Sequence, residues 1–251
     1  MATNKIIVAI TYLPAAAQGG EIEFAIAGWR KHFKEDFQIV IVGENLPAFE
    51  GDDITTIESK RVAERPGQYR QHLDYVSCLK KVHALFPDTT GFIHVADDCY
   101  AVNDFTIGDV KRLKYMPGGV DYDPNSPNAW RRDKMKTKYE LQRLGYPQRN
   151  FTTHLPIWFD WDKIEAMWKN WDMEKESYVI EDLYFNYYYP VAGALEINED
   201  SDNLKCAVYT TRPNPERLLN AFKDKIWITN NPDGWQPVLI NLLNMHFRMD
   251  E

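Results

Sequence analysis

The stretch "GFIHVADDCYAV", residues 91 to 102, is the most informative part of the sequence, because it joins a predicted buried strand to two adjacent carboxylates. The run "FIHVA" (92 to 96) is almost wholly apolar, which is typical of a strand that is buried on both faces. Asp97 and Asp98 follow it directly, and the chain then turns apolar again. In an open parallel sheet, ligands bind at the carboxyl ends of the strands. The sequence therefore predicts that this acidic pair lies at the ligand-binding edge of a sheet.

Strands and helices alternate through the first hundred residues. Helical spacing of apolar residues from Ile22 to Phe33 and from Leu73 to Phe86 predicts two amphipathic helices. Three more strands are predicted at "KIIVAITYL" (5 to 13), "FQIVIVGENL" (37 to 46) and "DITTIES" (53 to 59). This alternation indicates an α/β fold with a mixed, mostly parallel sheet that is flanked by helices.

The pattern loosens in the second half of the chain. Residues 115 to 130 are rich in Pro, Gly, Asn and Asp, which predicts a long surface loop. Helices are predicted within 131 to 150, which is strongly basic, and at 160 to 171, 178 to 191 and 234 to 248. There is no internal repeat. We expect one domain over residues 1–251, with halves that meet near residue 105.

Composition excludes several functional classes. The formal net charge of -8 argues against broad electrostatic binding of nucleic acid. No apolar run approaches the length needed to span a bilayer, and the N-terminus lacks a signal-peptide layout. The three cysteines, Cys78, Cys99 and Cys206, are widely spaced, which fits reduced thiols. These features predict a cytoplasmic protein with no membrane span.

The acidic pair suits a divalent cation. Two neighbouring carboxylates repel each other, so both remain charged at low cost only in water or beside a cation. Carboxylate oxygens are the ligands of hard ions such as Mg or Mn, which also bind substrate phosphates. An ion at Asp97 and Asp98 would neutralise charge that develops on a diphosphate leaving group. The alternative interpretation is a solvated pair that caps a loop.

The strand-helix-strand opening and the acidic strand end resemble the GT-A fold of nucleotide-sugar glycosyltransferases. In that fold an Asp-any-Asp or related motif holds Mn or Mg against the donor diphosphate. The segment "ADD" (96 to 98) departs from the strict form, because Ala96 occupies the first position. The resemblance implies a donor-binding half at 1–105 and an acceptor-side half at 106–251. It implies metal-dependent transfer of a sugar from a nucleotide-diphospho-sugar to a saccharide or other hydroxyl acceptor. It also implies that Asp97 and Asp98 bind the metal and that Asp97 contacts the donor.

Shorter segments resemble the Stealth family, whose members transfer sugar-1-phosphate from a nucleotide sugar during polysaccharide synthesis. The similar segments, besides the acidic one, are 20 to 49, 153 to 167 and 225 to 251. Two departures stand out. "AITYLP" (9 to 14) replaces an early Tyr-Thr-Trp-Val-Asp-Gly-like stretch, and "SYVIEDLYF" (177 to 185) lacks an Arg. Sugar-phosphate transfer is therefore an alternative, and a non-catalytic GT-A-like binding module is another, because the first Asp of the acidic motif is missing.

Adjacent acids at 181 and 182 are the candidates for a catalytic base. They resemble the Glu-Asp pair that many inverting GT-A enzymes use to take the proton of the acceptor hydroxyl. We expect Asp182 to be the base, with Glu181 as the alternative. Acids favoured by a helix dipole would give the same pattern without chemistry. His154 is a third candidate, because a histidine can bind metal, act as a base or contact phosphate.

Several basic residues are candidate donor contacts. Arg70 and Lys80 are expected near the sheet edge, and Arg132 is the choice from the basic run at 131 to 149, since Arg binds phosphate in a bidentate manner. His246 is a candidate second metal ligand, as in some GT-A enzymes. Each has a plain alternative as a solvated or helix residue. A nucleic-acid acceptor bound through the basic run is a minor option, given the overall acidity.

Overall fold

The computed structural model describes residues 5–61, 63–65, 68–69, 71–191 and 193–248. Its strands are β1 (Ile6–Tyr12), β2 (Phe37–Gly43), β3 (Ile54–Glu58), β4 (Ala63–Arg65), β5 (Gln68–Tyr69), β6 (Gly91–Ala96), β7 (Cys99–Ala101), β8 (Lys114–Tyr115), β9 (Ile157–Asp160), β10 (Leu195–Glu196), β11 (Lys205–Val208) and β12 (Trp227–Asn230). Its helices are α1 (Glu21–His32), α2 (Gln71–Leu85), α3 (Ile107–Lys111), α4 (Ala129–Arg143), α5 (Trp161–Asn170), α6 (Ile180–Tyr188), α7 (Pro215–Asp224) and α8 (Pro237–Arg248), with a 3-10 turn at Pro232–Gly234.

The central sheet has five strands in the order β3-β2-β1-β6-β9. The first four are parallel, and β9 pairs antiparallel with β6. The predicted mixed, mostly parallel sheet with flanking helices is therefore confirmed. The register sets Tyr12 opposite Gly43 and Gly43 opposite Glu58, while Thr11 faces Ala96. The carboxyl ends of all four parallel strands consequently lie side by side at one edge.

Successive residues of the central strands face opposite layers, which explains why these strands are apolar throughout. Ile7 and Ala9 pack in the core beneath α2, α5 and α6, whereas Val8 and Ile10 pack against α1 and α3. All four are fully buried. Each large apolar side chain buried in this way contributes about 1.5–3 kcal/mol, so the two layers hold the strand ends in place.

A second sheet, in the order β11-β12-β7, begins directly after the acidic pair. Its strand β7 packs on α1, where a Cβ on Gly28 would lie 2.8 Å from the Ala101 carbonyl oxygen, so the contact requires glycine. Helix α7, which the sequence analysis did not predict, begins at Pro215 and is capped by Asn214, which accepts from two backbone amides. The acidic pair thus lies at the junction of the two sheets.

Other predictions differ in detail from the structure. The basic segment predicted as helical within 131–150 forms α4 and ends at Arg143. Strand β9 was not predicted, because its four residues lie in an apolar segment with no turn signal before α5. The three cysteines are buried free thiols. Within the described ranges, no helix is both long enough and apolar enough to cross a bilayer.

Candidate functional site

A cavity of about 380 Å³, here called the rim cavity, lies at the carboxyl ends of the parallel strands. Residues at the ends of all four strands line it, and the starts of α1 and α2 complete it. The strand-end residues are Tyr12, Gly43, Ser59, Asp97 and Asp98. The structure therefore places the acidic pair at the sheet edge where ligands of parallel sheets bind.

Close packing of the strands forms the floor of the rim cavity. A Cβ atom on Gly43 would lie 1.7 Å from the carbonyl oxygen of Tyr12, which is far inside van der Waals contact. Only glycine therefore fits at the end of β2.

The acidic pair is half-buried and electrostatically unfavourable as it stands. Burial raises the pKa of Asp97 to about 7, and the nearby Glu21 carboxylate adds to the effect. Burial, followed by repulsion from Asp97 and Glu21, raises the pKa of Asp98 to about 8. Oδ1 of Asp98 is buried and has no hydrogen-bond partner. A carboxylate oxygen in this state binds a proton or a cation more readily than an exposed one.

Glu21, at the start of α1, is another carboxylate of the rim cavity, and no sequence pattern indicated it. Its two oxygens accept from Asn230 Nδ2 and from the backbone N–H of Gln18, each at 2.7 Å. Burial raises the pKa of Glu21, and these hydrogen bonds oppose the rise. Asn230 also accepts from the Tyr100 hydroxyl at 2.6 Å, which links Glu21 to the second sheet. An acid at a helix start is too common to signal this role.

The donor set suits a divalent cation that is completed by a substrate. Within the part of the chain that the structure describes, no group of three or more His, Cys, Asp or Glu side chains could hold a metal ion. Mg and similar ions are nevertheless often held by one or two carboxylates together with waters and substrate phosphates. The unpartnered oxygen of Asp98 fits such an ion. Asp97 and Asp98 are the residues that would hold it.

A smaller cavity of about 80 Å³, here called the inner cavity, adjoins the rim cavity and shares Gln71, Tyr75 and Ala96 with it. Glu181, at the start of α6, lines this cavity, and its Oε2 atom is buried without a partner. Burial raises the pKa of Glu181 to about 7. His72 also lines it, is 2% exposed, and has no partner for either ring nitrogen. The inner cavity thus contains unused hydrogen-bonding groups.

Asp182, the expected base, has both oxygens engaged elsewhere. Its Oδ2 lies 2.5 Å from Lys134 Nζ, and its Oδ1 accepts from the backbone N–H of Phe151 at 2.7 Å. Lys134 is fully buried and also donates to Asn150 and Thr152. Asp182 does not line either cavity. The structure brings Glu181, the alternative, to the cavity instead, because successive residues at the start of a helix point in different directions.

His154, the third candidate for a catalytic base, lines the inner cavity. Its backbone is left-handed, with φ of 57°, which is uncommon for a residue other than glycine. The preceding carbonyl, of Thr153, accepts from Lys205 Nζ at 2.9 Å. Lys205 is 1% exposed, and its charge lowers the pKa of Asp98 against the larger effect of burial. Lys205 is buried on the short strand β11, and no pattern in the sequence indicates this position.

Three predicted contacts lie away from both cavities. Lys80, on α2, pairs with Glu174. Arg132 donates to the backbone carbonyls of Ser126 and Pro127 at 2.7 and 2.9 Å. His246 Nε2 lies 3.0 Å from Nε2 of His32. Since His32 ends α1 and Glu21 begins it, His246 lies about 16 Å along the helix from the acids, at 1.5 Å per residue. None of these three residues therefore lines the rim cavity or the inner cavity.

Other basic residues lie at the rim cavity. Arg70 falls outside the described residues. Lys60 and Arg61 follow β3 and line the cavity, and Arg61 Nε donates to Asp74 Oδ2 at 3.1 Å. Lys60 and Arg61 lie in a short, featureless link between two predicted elements, so no sequence pattern indicated them.

Comparison with known proteins gives little further guidance. No protein-family model matches the chain, and no curated protein sequence matches it. Among solved structures, the chain is similar to a glycosyltransferase involved in the glycosylation of the major capsid of PBCV-1. The identity is 12%, the match covers 98% of this chain and 100% of that one, and the TM-score is 0.45. At this identity and TM-score, the similarity does not establish a function for the chain.

Proposed function

We propose that the chain is a divalent-cation-dependent glycosyltransferase that uses a nucleotide-diphospho-sugar donor. The observation that carries the proposal is the half-buried pair Asp97 and Asp98, with an unpartnered carboxylate oxygen, at the carboxyl edge of a parallel sheet. The rim cavity, at about 380 Å³, falls in the range of about 300–1,000 Å³ that small-molecule sites occupy.

In this proposal the donor diphosphate lies in the rim cavity, beside Asp97 and Asp98. When bound, the cation would neutralise the charge that develops on the departing diphosphate. Lys60 and Arg61 supply positive charge from the end of β3, and the hydrogen bond to Asp74 holds the Arg61 guanidinium in place.

Glu181 takes the role of general base. A carboxylate whose pKa is about 7 is well matched to proton transfer near neutral pH. The inner cavity meets the rim cavity at Tyr75 and Ala96, so an acceptor beside Glu181 would lie next to the donor. The buried pair of Lys134 and Asp182 supports the start of α6, and His154 offers a further acceptor contact.

Product analysis tests the proposal. The purified chain is incubated with Mn and a panel of nucleotide sugars, and released nucleotides are separated by chromatography. Release of nucleoside diphosphate supports glycosyl transfer, whereas release of nucleoside monophosphate indicates the sugar-phosphate transfer of the Stealth family. Absence of both turnover and metal-dependent nucleotide binding would leave a non-catalytic binding module.

A matched pair of variants locates the activity. Asp98→Asn removes one carboxylate of the pair, and Asp88→Asn makes the same change at an exposed position of the loop after α2. We expect Asp98→Asn to lower turnover by at least about 100-fold, as is usual when a group that stabilises transition-state charge is lost. Turnover retained in Asp98→Asn would contradict the proposal.

A further inference from the structure

The inner cavity is too small for a sugar ring. Its volume of about 80 Å³ is about a fifth of that of the rim cavity. Sites that enclose a whole small-molecule ligand usually have about 300 Å³ or more. The inner cavity can therefore admit only a group of a few heavy atoms, whatever the size of the molecule that carries it.

The polar groups of the inner cavity complement a neutral hydroxyl. Glu181 Oε2 and both ring nitrogens of His72 are buried without partners. Burial, followed by the charge of Lys134 and the nearby His94, lowers the pKa of His72 to about 3. Its ring is therefore neutral, with one N–H donor and one acceptor nitrogen. An alcohol both donates and accepts, so it can bond to Glu181 and His72 together, whereas an anion would be repelled by Glu181.

Packing holds these groups in place. The Tyr75 ring contacts the His72 ring edge-on at 5.7 Å and the His94 ring at 5.1 Å, measured between ring centroids. His94 Nε2 lies 3.3 Å from Thr11 Oγ1, so that ring already has a partner. Buried polar groups are nearly always hydrogen-bonded, so the unpartnered His72 and Glu181 atoms point to a ligand.

We infer that the inner cavity is an acceptor subsite for one small hydroxyl-bearing group, such as a hydroxymethyl or hydroxyethyl group that projects from a larger acceptor. This inference rests on the proposed function. The hydroxyl oxygen forms a bond to the anomeric carbon while the bond from that carbon to the diphosphate oxygen breaks. The electron pair leaves with the diphosphate, and the hydroxyl proton passes to Glu181. His72 binds the same hydroxyl and positions it.

Acceptors that differ in the group carrying the hydroxyl test the subsite. With a donor that the chain hydrolyses, ethylene glycol, glycerol and myo-inositol, whose hydroxyls are all attached directly to a ring, are offered as acceptors, and glycosides are detected by mass spectrometry. We expect glycosides of the two small alcohols and at least a tenfold lower yield with myo-inositol. An equal or higher yield with myo-inositol would overturn the inference. Donor hydrolysis without any glycoside of a small alcohol would also overturn it while leaving the proposed function intact.

A binding measurement keeps the test independent of turnover. The chain is labelled with ¹⁵N-histidine, and the His72 ring signals are followed as ethylene glycol or myo-inositol is added. We expect the signals to shift with ethylene glycol and not with myo-inositol. Unchanged signals with ethylene glycol, or equal shifts with both compounds, would refute the subsite even if no donor were found.

A histidine variant tests the positioning role. His72→Phe preserves the ring contact with Tyr75 and removes both nitrogens, while His83→Phe makes the same change at a ring that stacks on Trp161 outside both cavities. We expect His72→Phe to lower glycoside yield at least tenfold and to abolish the preference for small alcohols. Yield and preference equal to those of His83→Phe would contradict the role.

Discussion

Asp98→Asn should stabilise the unliganded protein at alkaline pH while it removes activity. The pKa of Asp98 is raised from 3.8 to about 8 by burial and by repulsion from Asp97 and Glu21. Between about pH 4 and pH 8 the folded chain therefore holds a proton on Asp98 that the unfolded chain has released. Stability falls as pH rises through this range, because the folded state must eventually carry an unfavourable buried charge.

The magnitude follows from the size of that pKa change. A rise from 3.8 to about 8 corresponds to at most about 6 kcal/mol, at about 1.36 kcal/mol per pH unit. Asp98 is half-buried, and solvent screens part of the repulsion, so we expect a gain of about 1–3 kcal/mol for Asp98→Asn at pH 8.5. The gain should shrink towards pH 4, where Asp98 is neutral in the folded state and largely protonated in the unfolded one.

Urea unfolding, followed by tryptophan fluorescence in EDTA at pH 8.5 and pH 5, measures the difference. Asp88→Asn is the control, because this aspartate is exposed and should change the free energy of unfolding by less than about 0.5 kcal/mol. Added Mn should stabilise the wild-type chain and Asp88→Asn more than Asp98→Asn. A loss of stability in Asp98→Asn at pH 8.5 would refute the reasoning, since it would show that the carboxylate supports the fold.

Three further predictions concern the base, the buried ion pair and the strand end. With Mn saturating, so that proton binding at Asp97 and Asp98 adds no limb of its own, transfer should rise through an acidic limb near pH 7 as Glu181 loses its proton, and Glu181→Gln should lower transfer by about 100-fold or more; a limb that persists in this variant would argue against the assignment. Lys134→Met should cost about 3–5 kcal/mol of unfolding free energy by leaving Asp182 unpaired, and adding Asp182→Leu should recover most of it in urea titrations; no recovery would count against a buried pair. Gly43→Ala should cost about 3 kcal/mol or more by thermal unfolding and Gly119→Ala almost nothing, because a Cβ meets Tyr12 at the first position and open space at the second; equal effects would disprove the close approach.

Much of the architecture could be predicted because its signals are local. Apolar runs and helical spacing identified β1, β2, β3, β6, α1 and α2, and the parallel alternation implied where their carboxyl ends meet. The position of Asp97 and Asp98 at that edge followed from the topology alone. The elements that were not predicted include β7, β9, β11, β12 and α7. These four strands have only three or four residues each, and the pairing of β9 with β6 joins residues about 65 positions apart.

The site could be predicted only where residues are adjacent in sequence. Glu21 reaches the acidic pair because β7 and β12 position Asn230 against α1, a contact between residues 209 positions apart. The choice between Glu181 and Asp182 depends on the direction of each side chain and on the buried partner Lys134, which no pattern reveals. Lys80 was expected from its place near the sheet edge and Arg132 from a charge run, but Lys80 pairs with Glu174, 94 positions away, and Arg132 donates to the carbonyl of Ser126.

Calorimetry measures whether Asp97 and Asp98 hold a divalent ion against a diphosphate. UDP, GDP, CDP and ADP are titrated into the wild-type chain, Asp98→Asn and Asp88→Asn, with Mn or with EDTA. We expect at least one nucleotide to bind the wild-type chain and Asp88→Asn in Mn, and to bind at least tenfold more weakly in EDTA or to Asp98→Asn. Binding that is indifferent to both Mn and Asp98, or no binding by any of the four nucleotides, would contradict this expectation.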